Sequence, residues 1–275
     1  VVLGFIHGLL FWDGDILLAY GLIGLICWRL IRDAPSVKSL FNTGVLLYLV
    51  GVGVLLLLGV ISGSETSRAW TPDASALLYE KYWKINGGME AVSNRVDMMS
   101  NSLLALGAQY GWQLAGMMLL GAALMRSGWL KGQYSLQHYR RTGVLLVILG
   151  MAINLLQAPR ELGAPLQTIG YAALMFGFWP QLSRLKWVIA IACVGRMALT
   201  NYLLQTLICT TLFYQVGLFM KFDRLELLYF VIPVWAVNLL FSVIWLHFYR
   251  QGPVEWLWRQ LTLRAAGTSL PRTSR

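Results

Sequence analysis

Charge, cysteine and proline are scarce in this chain, and each scarcity removes a class of protein. Charged residues make up 12 % of the 275 and hydrophobic ones 57 %, which excludes an ordinary soluble globule and predicts a polytopic membrane protein. The three cysteines, Cys27, Cys193 and Cys209, fall in apolar runs with no CxxC pairing. They read as small buried hydrophobes, not as disulfide partners or metal ligands. No Pro/Gly/Ser-rich linker or low-complexity tract divides the chain, so residues 1–275 are expected to form a single integral domain. Metal-ligand spacing, a Walker loop, a dinucleotide fingerprint and a nucleophile elbow are all missing. No metal is therefore expected. The chain opens on Val1, already inside an apolar run, with neither a methionine nor a charged leader. That is unlike a signal peptide and suggests the second half of a spanning helix, with further helices upstream.

What is present is a succession of apolar runs. Val1 to Trp12 is a half-span with Gly4 and Gly8 at small-xxx-small spacing, suited to close helix approach. Full spans are expected at Ile16–Leu30, Phe41–Ile61, Leu103–Met125, Gly143–Leu156, Ala164–Pro180, Trp187–Met220 and Leu227–Tyr249. The Gly143–Leu156 run is too short to cross comfortably at about 1.5 Å per residue, which suggests a contraction near Leu156. The 62–102 segment is the one long polar stretch, extracytoplasmic, with Ala74–Ile85 as a short amphipathic helix. The 250–275 segment, with Trp256, Trp258, Arg259 and Arg264, reads as a cytoplasmic interfacial tail.

The net charge of +10 could point to nucleic acid, but its distribution does not. The segments 29–38, 126–141, 181–186 and 250–275 carry three, four, two and five basic residues, 14 of the 22, with only Asp33 and Glu255 as acids. The opposite side holds ten acids and seven bases. This is the positive-inside bias, so the first set is cytoplasmic and anionic lipid headgroups are the expected partners. Nucleic acid is not needed.

Two groups of residues stand out from this apolar background. The first lies in Val194–Thr206, where Arg196 is followed by Thr200, then by Asn201 and Gln205. An arginine at hydrocarbon depth costs about 3 kcal/mol on insertion scales, so it usually faces a cavity or a partner. At 100° per residue the Arg196/Thr200 and Asn201/Gln205 pairs occupy different faces of a helix. Interhelical glue and the lining of a site are both consistent with that pattern. The second group is His7 with Asp13 and Asp15 around Gly14, in a turn expected toward the outer face. A histidine beside a carboxylate suits a general base. The plainer alternative is a solvated turn with a histidine bonded to a neighbouring helix.

The stretch Gly4–Leu22, the Val194–Thr206 motif and Gly252-Pro-Val-Glu-Trp-Leu-Trp-Arg259 together resemble the signatures of the YeiB-like bacterial inner-membrane proteins. The likeness covers essentially the whole chain, with a contraction between Ala152 and Gly163. It implies a kinship of fold with transmembrane acyltransferases of the heparan-α-glucosaminide N-acetyltransferase type, which pass an acyl group from cytoplasmic acyl-CoA to an acceptor across the membrane. From its apolar runs the chain is expected to be all-α, about seven full spans plus one truncated span, with a polar pocket between the two groups. In an acyltransferase the histidine and carboxylates read above, His7, Asp13 and Asp15, are the expected catalytic residues. Arg196, Thr200, Asn201 and Gln205 are the expected binding residues, with acyl-CoA as donor and an unidentified small molecule as acceptor. A small-solute transporter and a non-enzymatic membrane scaffold are the alternatives, and the glycine-lined helices permit a homodimer without requiring one.

Overall fold

A computed structural model describes residues 1–62, 73–156 and 159–267, and among these every regular element is helical. The chain divides into two compact units, Val1–Trp83 with Gly87–Pro180, and Lys84–Asn86 with Gln181–Arg275.

The first unit begins with α1, Val2–Leu10, and α2, Leu17–Asp33. Pro35 ends α2 by driving Ala34 into the extended region. Helix α3, Val37–Ser62, is apolar nearly all round and leaves Leu46, Leu57, Val60 and Ile61 exposed, as suits lipid contact. Helix α4, Ala74–Asn86, starts where Asp73 accepts from the Ala76 N–H at 2.7 Å and stops at Gly87, whose φ of +67° breaks the helix.

Helix α5, Gly88–Ala105, continues through a π-helical turn, Leu106–Tyr110, into α6, Gly111–Arg126. The run expected to start at Leu103 is thus the far part of a helical stretch beginning at Gly88, because nothing between Gly88 and Arg126 interrupts the helix. Helix α6 packs on α3 through glycines. A β-carbon on Gly116 would lie 2.6 Å from the Tyr48 amide nitrogen, and one on Gly44 would lie 3.0 Å from the Gly116 carbonyl. Ile23, Cys27, Leu40, Leu119 and Ala123 fill the core that α2, α3 and α6 share.

Helix α7, Leu136–Leu155, is capped by Ser135, which accepts from the His138 N–H. His138, Arg140 and Arg141 therefore lie in the helix, correcting their expected place in a 126–141 loop. The gain of a turn and more makes α7 20 residues long. Helix α8, Arg160–Leu182, meets α7 along glycines seven apart, so that a β-carbon on Gly150 would approach the Gly163 carbonyl at 2.8 Å. The suspected contraction adjoins Gln157 and Ala158, which lie outside the described residues, as do 63–72 of the polar segment and 268–275 of the tail.

The second unit contains α9, Lys186–Arg196, α10, Ala198–Thr210, a π-helical turn at Thr211–Gln215, α11, Leu228–Phe248, and α12, Pro253–Ala265. The expected Trp187–Met220 span is broken at Met197, two residues past Gly195, and bends by 84°. Among the described residues, three stretches are long and apolar enough to cross a membrane: Val37–Ile61, Gly88–Arg126 and Leu228–Phe248. The bent pair makes a fourth if it counts as one span. Helix α2, at 17 residues, is too short for this set, while α7 and α8 are long enough but carry charged and polar residues that leave them outside it.

Candidate functional site

The turn after α1 folds back because the Phe11 and Trp12 amides both bond the His7 carbonyl, at 3.0 and 3.1 Å. That return carries Asp15 under α1. Gly4 and Gly8 supply the room: the Leu17–Leu18 backbone lies against Gly4, while Met99 and Asp15 lie against Gly8. His7 Nδ1 and Asp15 Oδ1 are 2.7 Å apart, and each side chain is only 4 % exposed. The second carboxylate oxygen caps α2 by accepting from the Leu18 N–H at 2.8 Å.

Burial pushes the Asp15 carboxyl up, but the hydrogen bonds from His7 and from the Leu18 and Leu17 amides outweigh it and hold it below the ordinary carboxylate range. An ionised Asp15 can only accept, so the shared proton resides on His7 Nδ1 and the Nε2 lone pair is the basic one. The structure thus joins His7 with Asp15 and puts Asp13 beside them, lining a small adjoining pocket.

That pocket contains residues the sequence reading did not single out. Arg95 on α5 is 8 % exposed and lines it together with Asp13, Asp15, Ser102 and Tyr110. One terminal nitrogen of Arg95 donates to the Leu10 carbonyl at 3.1 Å. Its Nε is buried and meets no acceptor among the described residues. Tyr110, in the π-helical turn, donates to the Ser102 carbonyl at 3.0 Å. A polar residue between Ala91 and Met99 in a helical register was the available signal, masked by the generally polar composition of 62–102.

The second group is built within the second unit around the α9–α10 break. Helix α10 has no side-chain cap of its own, since Met197 stands at that position. Glu255, in the first turn of α12, supplies one from a distance: its Oε1 accepts from the Thr200 N–H at 2.9 Å, and its Oε2 from the Thr200 hydroxyl. Thr200 Oγ1 in turn accepts from the Val254 N–H at 3.2 Å, so two helix starts cap each other. Arg196 is exposed and donates to the Arg250 carbonyl at 2.8 Å, fixing the chain that leads into α12.

Asn201 is buried and donates to Ser242 Oγ at 2.8 Å and to the Val194 carbonyl at 3.2 Å. The Asn201–Ser242 bond links α10 to α11, and the Ser242 hydroxyl itself donates to the Asn238 carbonyl one turn back on α11. Gln205 is exposed and is not joined to Asn201. Arg196, Thr200 and Asn201 are therefore engaged by the protein's own groups. Glu255 was missed as a partner because 55 residues separate it from Thr200.

Comparison with known proteins gives this geometry its context. The family described as "Protein of unknown function (DUF418)" matches residues 124–265, which include the Thr200–Glu255 joint but not the His7–Asp15 pair. The chain is 76 % identical over 294 aligned residues to "Uncharacterized protein YeiB" of Escherichia coli (strain K12), covering all of this chain and 76 % of that protein. It is 29 % identical to "Uncharacterized protein YxaH" of Bacillus subtilis (strain 168), covering 95 % of this chain and 69 % of the relative. A third relative, "Uncharacterized 39.9 kDa protein in amylase 3'region" of Bacillus acidopullulyticus, is 27 % identical over 95 % of this chain and 68 % of its own length. No solved structure matches the chain.

Proposed function

The chain belongs to the DUF418 family of proteins of unknown function, and from that premise we propose that it is a multi-pass inner-membrane acyltransferase. The observation that carries this reading is the buried His7–Asp15 pair. Asp15 fixes the imidazole with its basic nitrogen at Nε2 and stabilises the imidazolium formed when that nitrogen takes a proton. A nucleophilic acceptor group deprotonated there attacks the acyl carbonyl of acyl-CoA. The thioester C–S bond breaks, and the departing thiolate recovers the proton from His7. Helices α2, α7 and α8 complete the set of seven spans and a half-span in this reading, with the C-terminus cytoplasmic and anionic lipid around the basic loops.

The Thr200–Glu255 joint is a structural clamp in this account, and the chemistry rests on the first group. The test is release of free CoA thiol from acetyl-CoA by the purified full-length protein in lipid nanodiscs. His7→Ala and Asp15→Asn should lower turnover by about 10²- to 10⁴-fold, the usual contribution of general acid–base catalysis, while leaving the helical signal intact. Turnover equal to that of the wild type in both variants would exclude the pair from catalysis.

A transporter reading draws support from the 84° break, because half-helix starts hold substrates in several transporter folds. Here Glu255 already occupies the start of α10, so transport there requires that carboxylate to leave. Solute uptake into proteoliposomes that is enhanced by Glu255→Gln would favour transport.

A further inference from the structure

The pocket beside Asp15 has a composition that selects its ligand. It is lined by one guanidinium, Arg95, and two carboxylates, Asp13 and Asp15, together with Ser102 and Tyr110. The cavity is about 20 Å³, room for one water-sized group and too little for a phosphate. Arg95 is more than nine-tenths buried, and its Nε–H has no acceptor among the described residues, so a strong donor is held out of water without its bond. The π-helical turn that presents Tyr110 is a rare element, found often where a helix is opened for a ligand.

Three kinds of group can be compared. A carboxylate or phosphate would accept from Arg95 but would meet two negative charges. An alkylammonium would suit the carboxylates but has no lone pair for the Nε–H. A hydroxyl satisfies both, since its oxygen accepts from Arg95 and its proton points to a carboxylate oxygen. We propose that the Arg95/Asp13/Asp15 pocket binds a hydroxyl group of the acyl acceptor, making the acceptor an alcohol and the product an ester.

This inference rests on the acyl-transfer reading of the His7–Asp15 pair and specifies its acceptor. On transfer the oxygen of the hydroxyl held by Arg95 forms the new C–O bond to the acyl carbon, the C–S bond to CoA breaks, and the hydroxyl proton ends on the departing thiolate. Arg95 is here an acceptor-binding residue, and Asp13 orients the hydroxyl.

The experiment reads binding and transfer separately, with three probes of one chain length: 1-hexanol, hexylammonium and hexanoate. The Arg95 Nε–H resonance is followed in ¹⁵N-arginine-labelled protein in nanodiscs. It is assigned by its loss in Arg95→Lys or, should that variant misfold, by its response to Ser102→Ala in the pocket lining. A saturable shift with hexanol and none with the other two is the expected result. A shift with hexanoate or hexylammonium, or with none of the three, overturns the proposal. In the transfer assay with acetyl-CoA, hexyl acetate should form in preference to the amide, and Arg95→Lys should raise the KM for hexanol at least about tenfold. Preferential amide formation, or an unchanged KM in Arg95→Lys, overturns it as well. A hexanol shift without any transfer supports the hydroxyl site and counts against the acyl-transfer reading alone.

Discussion

Replacing Glu255 by alanine removes the acceptor of two Thr200 donors at once, and the cost can be worked from the geometry. Thr200 is 5 % exposed, so its N–H and hydroxyl have little access to water once Glu255 is gone. Each orphaned donor costs roughly 1–3 kcal/mol, and the half-buried position of Glu255 lets some water in, so about 3 kcal/mol in total is expected. Glu255→Gln keeps a carbonyl for the Thr200 N–H and should cost about 1 kcal/mol. Thr200→Val removes the hydroxyl and the acceptor of the Val254 N–H, for a cost of about 1–2 kcal/mol. Because these groups share bonds, the Thr200→Val/Glu255→Ala double variant should fall short of additivity by about 1–2 kcal/mol. The assay is reversible unfolding in mixed detergent, titrated with sodium dodecyl sulfate, on the wild type and all four variants. An Glu255→Ala variant within about 0.5 kcal/mol of wild type, or strictly additive effects, would refute the mutual cap.

Further consequences follow from the same structure. Gly252→Ala should destabilise the protein by about 1–3 kcal/mol in that assay, because its β-carbon would press on the Glu255 carboxylate and lie 2.7 Å from Thr200 Oγ1. Asn201→Leu should be much milder, near 0.6 kcal/mol, since Ser242 keeps its bond to the Asn238 carbonyl. The Asp15 carboxyl is held below its ordinary value, so its stabilisation is fully present above the unfolded pKa of about 3.9 and is lost as pH falls through the lower folded value. A melting series should therefore show Asp15→Asn less acid-sensitive than wild type below about pH 4, and parallel curves would contradict this. Gly116→Leu should prevent α6 from seating on α3, visible as loss of folded protein on size exclusion.

Polar residues inside apolar runs were the most legible feature of the chain. His7 and Asp15, only eight residues apart, could be paired from the turn between them, and the structure brings them to 2.7 Å. Thr200 and Asn201 were legible as buried polar positions, yet their partners were not. Glu255, Asn238 and Ser242 come from other helices, and local spacing carries no trace of such tertiary meetings. Arg196 looked like a buried cation because its neighbours are apolar. Its site at the end of α9 instead leaves it exposed and bonded to the Arg250 carbonyl. Helix limits were misjudged where polarity was taken for irregularity, as with α5, whose polar residues Asn94, Arg95 and Asp97 continue a helix that becomes apolar only after Ser102. The shift of α7 to Leu136 came from the Ser135 cap, a signal that basic composition had obscured.

If this protein handles acyl-CoA with His7 as base and not as anchor, donor binding should survive loss of the imidazole while turnover should not. The direct test is equilibrium binding of radiolabelled acetyl-CoA to the purified full-length protein in nanodiscs, wild type beside His7→Ala. Saturable binding of similar affinity is expected for both, with CoA release by the wild type only. A folded wild-type protein that binds no acetyl-CoA at millimolar concentration would contradict it.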